Sequence, residues 1–434
     1  MGISLLVLVS QVSALEIEAI SRISLAPDGA EANGSSSAPD VSADGRYVAF
    51  HSDASNLVLD DTNGVSDVFR YDTVTGEMRR ISVASDGTQA NGGSFFNAMS
   101  ADGRFLAFSS EATNLVPNDT NGERDVFVHD AVSGQVTADL PTSDASVADI
   151  SDDGRFVSFR SFDSTLVPGD TNGARDAFLY DRTTGQTTLI GETAPGVQAN
   201  NSHPGQISGD GRHILYRAGE GSGALPNPDL LFVRDLVTGA IERLSDGPGG
   251  SLPDNNIDHS SISDDGRFVT FSTVAGNLDP ADSNELHDVF VHDRQTGQRT
   301  RITDSVDSLA TQTIGATSPK ITGDDRWVAF VSDGADLVPA GATDDDRDGL
   351  LFVYDRQTDA TIVITKTADG SPAYSGTLGH QISDDGRTVV FGSDSSIQVA
   401  GDTNGVNDVF MAKLTDDTNV GLSWLFPLLL GEQD

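Results

Sequence analysis

The chain has 434 residues, 26 of them Lys or Arg and 66 Asp or Glu, for a net charge of −40, and it has no cysteine. Such acidity repels phosphate backbones and anionic headgroups, so neither nucleic acid nor a charged lipid surface is an expected partner. The lack of thiols removes disulfides, thiolate metal sites and cysteine nucleophiles. Asp outnumbers Glu 55 to 11, Arg outnumbers Lys 23 to 3, and there are 45 glycines; these choices favour turns and short strands over helices.

In chain order, the first feature is an apolar run from Met1 to Ser10, followed by the small residues Val12-Ser13-Ala14. It predicts a secretory signal peptide over residues 1–14 and a periplasmic or extracellular protein, although the first basic residue is Arg22. A strand-like segment, Ile20-Ser-Arg-Ile-Ser24, comes next.

From there a phrase repeats. Ser42-Ala-Asp-Gly-Arg-Tyr-Val-Ala-Phe50 returns as Ser100-Ala-Asp-Gly-Arg-Phe-Leu-Ala-Phe108 and again in five further copies. The aligned aspartates are Asp44, Asp102, Asp153, Asp210, Asp265, Asp324 and Asp385, spaced by 58, 51, 57, 55, 59 and 61 residues. Each unit carries a second phrase, such as Asp67-Val-Phe-Arg-Tyr-Asp72 or Asp125-Val-Phe-Val-His-Asp130, then a Thr-Gly or Ser-Gly turn and a last short strand. One unit is therefore four strands, here a to d, and a unit of that size cannot bury its own faces. Seven such units predict an all-β, seven-bladed β-propeller over residues 15–415. The last unit has no clear strand d, so the N-terminal strand is expected to complete blade 7 and close the ring. Residues 416–434 form a tail. Its apolar stretch, Gly421 to Leu430, is too short for a membrane-spanning helix, which needs about 20 residues.

The repeat phrase resembles the PD40, or TolB-like, propeller repeat over about 390 residues, nearly the whole mature chain. The resemblance is specific for fold and weak for function. It implies kinship with the propeller of periplasmic TolB and with the propeller domains of peptidases and some polysaccharide lyases. The repeats begin too early to leave room for the N-terminal domain that TolB carries, so a Tol–Pal role is not expected.

The Asp-Gly of each first phrase signals a tight a–b turn. The following Arg46, Arg104, Arg155, Arg212, Arg267, Arg326 and Arg387 are expected to pair with the Asp that ends strand c, as structural contacts. The b–c and d–a connections are long and polar, which points to their face as the functional one. The b–c loops carry the strongest chemical signal. Asp61, Asn63 and Asp67 recur as Asp119, Asn121 and Asp125, as Asp170, Asn172 and Asp176, and as Asp402, Asn404 and Asp408. Looser versions are Asp282, Asn284 and Asp288, and Asp344, Asp346 and Asp348. Hard oxygen ligands with a Gly for the sharp turn suit calcium, and the same residues equally make Asx turns; both readings stand. The d–a loops bring His203, His259 and His380 towards the channel mouth, where a transition metal is the weaker alternative. No other catalytic motif is present. The expected function is a protein- or ligand-binding scaffold acting as a monomer through its long-connection face, with a cationic or calcium-bridged partner preferred. The alternative is a propeller lyase or hydrolase with a metal at the three histidines.

Overall fold

The computed structural model describes residues 15–140, 145–219, 228–303, 315–333, 349–366, 379–394, 399 and 401–416. Seven four-stranded antiparallel sheets form the blades of a propeller. In blade 1 the strands are Ser36–Val41 (a), Tyr47–Ser52 (b), Asp67–Asp72 (c) and Met78–Arg80 (d). Blades 2 to 6 repeat this meander. Blade 7 takes His380–Ile382, Thr388–Ser393 and Asp408–Asp416 from the C-terminal end. Its outer strand is Leu15–Arg22, antiparallel to the last strand with Leu15 opposite Asp416 and Arg22 opposite Phe410. The ring closes as the sequence predicts. One element was not expected: a small hairpin, Glu192–Ala194 with Val197–Gln198, in the connection between blades 3 and 4. The predicted tail and signal segment, and Asp344, Asp346 and Asp348, lie outside the described residues.

Strands b and c are sandwiched between neighbouring blades, so apolar residues fill both of their faces. Each blade places one stacked aromatic pair across b and c, from Phe50 on Phe69 in blade 1, with centroids 6.0 Å apart, to Phe391 on Phe410 in blade 7 at 5.6 Å. The glycine of Asp-Gly-Arg joins consecutive blades. Gly103 holds φ at +70°, and a Cβ there would strike the Tyr47 ring of the preceding blade. Only glycine meets both demands without strain.

A four-stranded meander puts the a–b and c–d turns on one face and the b–c and d–a connections on the other. On the tight-turn face, Arg104 grips Asp130 of its own blade through two bonds, Nε to Oδ1 at 2.9 Å and Nη2 to Oδ2 at 2.8 Å. Pairs Arg46–Asp72, Arg155–Asp181, Arg212–Asp235, Arg267–Asp293 and Arg326–Asp355 repeat the contact. Each of these aspartates also caps its c–d turn; Asp130 accepts the Val132 amide at 3.0 Å. Together, guanidinium and amides hold the Asp130 carboxyl well below the usual carboxylate range.

Candidate functional site at the channel and its long-connection mouth

The b–c loops come first, because the sequence singled them out. In blade 1, Asn63 Nδ2 donates to Asp67 Oδ2 at 2.9 Å and to the Ala90 carbonyl at 3.1 Å, while Ser82 Oγ donates to Asp67 Oδ1. Arg80 of strand d stands between the carboxylates, 3.0 Å from Asp61 and 3.4 Å from Asp67. Its guanidinium supplies the positive charge inside the loop. Blade 7 repeats this: Arg22 lies 3.1 Å from both Asp402 and Asp408 and 2.9 Å from Glu31, and Asn404 donates to Asp408. In blade 5, Arg301 meets Asp288 at 3.1 Å, Asp279 at 3.2 Å and Asp282 at 3.7 Å, and Asn284 donates to Asp288. The sequence carried this signal as Arg-Ile-Ser or Arg-Ile-Thr on strand d of blades 1, 5 and 7. It was legible only as a strand, because the pairing runs between distant segments of one blade.

Blades 2 and 3 differ. In blade 3, Leu189 stands in the arginine's place, and the Gln198 amide bridges Asp170 at 2.8 Å and Asp176 at 3.0 Å. Asn172 donates to the Ala199 carbonyl at 2.7 Å and also bonds Asp176. In blade 2, Asn121 Nδ2 donates to both oxygens of Asp125, at 3.2 and 3.0 Å, and the buried Oδ1 of Asp119 has no hydrogen-bond partner.

The axial channel is polar, lined by Asp40, Asp149, Asp152, Gln206, Gln381 and Asp384 among others. In blades 1, 3 and 4 a bulge in strand a presents Asp40, Asp149 and Gln206 among these side chains. Most of them tie one blade to the next. Asp40 accepts the Met99 amide at 2.9 Å, Asp149 the Ile207 amide at 2.7 Å and Gln206 the Ile262 amide at 3.1 Å. Burial pushes the Asp149 carboxyl up to about 8, so it is protonated at neutral pH. Towards the tight-turn end, Asp152, Asp264 and Asp384 form an acidic girdle. Burial and mutual repulsion push each up to about 6. Gly209 makes room for it: Asp152 Oδ2 and Asp264 Oδ1 lie 2.5 and 2.6 Å from where its Cβ would be. The repeat alignment contained these positions, with Asp40, Asp149, Gln206 and Gln381 two before the Ser of each unit and Asp152, Asp264 and Asp384 one after it, but only the structure shows that they gather around the axis.

The three histidines have different partners. His259 shares a hydrogen bond with Thr317 at 3.2 Å, and buried His380 is pushed down by burial first and then by the charge of Lys320, with His259 adding to it. His203 lies 3.2 Å from Arg160 Nη2 and 3.9 Å from Asp229. Burial and the charges of Arg160 and Arg217 push His203 down to about 4. Among the described residues, no three His, Asp or Glu side chains gather closely enough to hold a metal ion. His129 and His292 are buried on strand c, as packing residues.

No family model matches this chain, and no curated protein matches it. Solved structures do. The β-propeller domain of the Trilobed protease from Pyrococcus furiosus, described as having an open velcro topology, matches with a TM-score of 0.55 and 14% identity, covering 88% of this chain and 95% of that one. An oligogalacturonate lyase from Vibrio parahaemolyticus matches at 0.53 and 12%, covering 92% and 98%. An acylaminoacyl peptidase from Pyrococcus horikoshii matches at 0.54 and 12%; the match covers 91% of this chain and 54% of that protein. At these identities the likenesses show the fold alone, a β-propeller, which this chain builds from seven sheets. The narrower PD40 or TolB-like resemblance rests on the repeat phrase itself. No helix among the described residues is long and apolar enough to cross a membrane.

Proposed function

We propose that this propeller is an exported binding module that recognises a protein or small ligand through its long-connection face. One observation carries the reading: variation between blades is concentrated on that face. The tight-turn face repeats one Asp–Arg contact in six blades, whereas the long connections differ in length, charge closure and exposed apolar residues. Binding sites concentrate on such variable loops above a rigid scaffold. The lyase or hydrolase alternative is less well supported, because His203 is engaged by Arg160 and Asn201, and no three His, Asp or Glu among the described residues gather to hold a metal ion.

Glycan and peptide arrays test the reading with the whole chain and two triple variants. Leu59→Ser/Phe162→Ser/Leu252→Ser alters exposed apolar residues of the long connections, and Val74→Ser/Val132→Ser/Val237→Ser alters exposed valines of the c–d turns. Loss of the captured ligand in the first set alone is expected; loss in the second set alone overturns the assignment of the face. Export is checked by sequencing the N-terminus of the protein recovered from the periplasm or medium, which is expected to begin near Leu15.

Calcium stabilisation belongs to the same proposal and centres on blade 2, where the buried Oδ1 of Asp119 has no hydrogen-bond partner. Calcium that binds only the folded chain raises its melting temperature. A rise over EDTA that magnesium does not reproduce and that Asp119→Asn removes is expected; an equal rise in that variant places the ion elsewhere.

A further inference from the structure

The molecule is strongly acidic, and most of its described arginines pair with carboxylates. A few, such as Arg70, sit singly at blade seams, stacked on a ring and bonded to a carbonyl. Three depart from both patterns and lie together. Arg160 and Arg217 occupy the same place near the end of strand b in blades 3 and 4, and Arg175 precedes strand c of blade 3. All three are half-buried at the long-connection mouth. None makes an ion pair within 4.0 Å among the described residues. Arg160 donates to Asn201 Oδ1 at 2.8 Å, Arg217 to the Ile257 carbonyl at 2.8 Å and Arg175 weakly to Ser146 Oγ at 3.4 Å. The buried Nε atoms of Arg160 and Arg175 have no acceptor.

The carboxylates within reach are mostly committed. Asp176 accepts from Ser202 and Gln198, and Asp258 pairs with His287 at 3.3 Å. Asp229 offsets part of the charge from beside His203. The rest is unbalanced: the Arg160 guanidinium is pushed below its ordinary value by burial and then by the positive charge of Arg175, and Arg217 adds to this. Three like charges held partly out of water are costly unless something of opposite sign joins them. Guanidinium forks match the paired oxygens of carboxylate, sulfate and phosphate. The Phe162 ring, 52% exposed, lies beside them with Arg175 over it at 5.4 Å, offering an apolar face next to the charge.

We infer that the long-connection face carries an oxyanion site between blades 3 and 4, in which Arg160, Arg175 and Arg217 hold a carboxylate, sulfate or phosphate group of the ligand, with Phe162 packing against its carbon skeleton. This rests on the binding reading above and gives its ligand a sign. That sign is opposite to the one the Asp-rich loops suggest, and in blades 1, 5 and 7 those loops are neutralised from within by Arg80, Arg301 and Arg22.

Calorimetric titration of the whole chain tests it at fixed ionic strength with four probes: inorganic sulfate, inorganic phosphate, a uronic-acid trisaccharide and its neutral counterpart. Binding of at least one anion, with the neutral sugar at least tenfold weaker, is expected. A uronate that binds at least tenfold tighter than both inorganic ions assigns the group to a carboxylate on a carbon skeleton; sulfate or phosphate binding as tightly assigns it to an inorganic or ester oxyanion. Arg160→Gln/Arg217→Gln is expected to weaken binding at least tenfold, and Arg175→Gln by a smaller factor. Because these changes relieve repulsion, the variants are expected to melt no lower than the parent, which separates lost binding from lost folding. No binding of any anion, equal binding of the neutral sugar, or unchanged binding by the double variant overturns the oxyanion site. If so, a ligand captured on the arrays and lost with Leu59→Ser/Phe162→Ser/Leu252→Ser still leaves the binding-module reading standing.

Discussion

The b–c loops of blades 1 and 3 are spelt almost alike, yet they are closed by different chemistry. Blade 1 puts the Arg80 guanidinium between Asp61 and Asp67, with side chains only 8%, 3% and 0% exposed. Blade 3 puts a neutral amide, Gln198, between Asp170 and Asp176. In blade 2 the Asn121 amide donates to both oxygens of Asp125. The countercharge of an acidic loop is thus set by a strand that the motif does not include. A buried carboxylate pair next to a guanidinium is a closed unit, whereas the same pair without one retains capacity for a cation or a proton.

The largest effect is expected from breaking the closed unit. Arg80→Met leaves Asp67 buried beside Asp61 with no cation, and should cost about 3–5 kcal/mol, read by urea denaturation. A loss below about 1 kcal/mol would mean that the guanidinium is not the stabilising partner. Gln198→Leu removes the amide donor of blade 3 and should cost less, about 1–3 kcal/mol for unsatisfied buried acceptors. Equal losses at the two sites would erase the distinction between charge and amide closure.

The acidic girdle at the tight-turn end extends the contrast to carboxylates with no cation among them. Asp264 is pushed from 3.8 up to about 6, first by burial and then by Asp384. In that window the folded chain keeps a proton that the unfolded chain has released. Stability from this group therefore falls as pH rises from about 4 to about 6 and stays low above it. Asp264→Asn should raise stability above pH 6 by about 1 kcal/mol, a figure reduced for solvent screening, and flatten the decline of melting temperature with pH. A variant as pH-dependent as the parent would remove the girdle from that role. The smallest effect belongs to the exposed pairs: Arg104→Ala should lower the melting temperature by less than any of the changes above shift it, because an exposed ion pair is screened by water, and leave ligand binding unchanged. Altered binding would bring the tight-turn face into recognition.

Much of the fold was legible because β-propellers are built from local repeats. The Asp-Gly-Arg turns and the missing strand d of the last unit gave the blade count and the closure by an N-terminal strand, expected at Ile20–Ser24 and found at Leu15–Arg22. The candidate site was legible only in part. The Asp and Asn of the b–c loops could be read as a cation cage or as turns, since both need the same short polar residues and a glycine. Arg80, Arg22 and Arg301 were visible on strand d, but nothing in their own segment says which way they point.

By itself the sequence determined the periodic features: seven blades, the order of strands within each, and the tight turns whose Asp and Arg recur at fixed offsets. Those follow from hydrogen bonds and packing between segments close along the chain. Only the tertiary structure decided what depends on several blades meeting at one axis. It set which loops are neutralised from within, turned Asp149, Gln206 and Asp40 into ties between adjacent blades, and brought Arg160, Arg175 and Arg217 to one mouth. Charge–charge energies depend on distance and burial, and both are fixed when the ring closes.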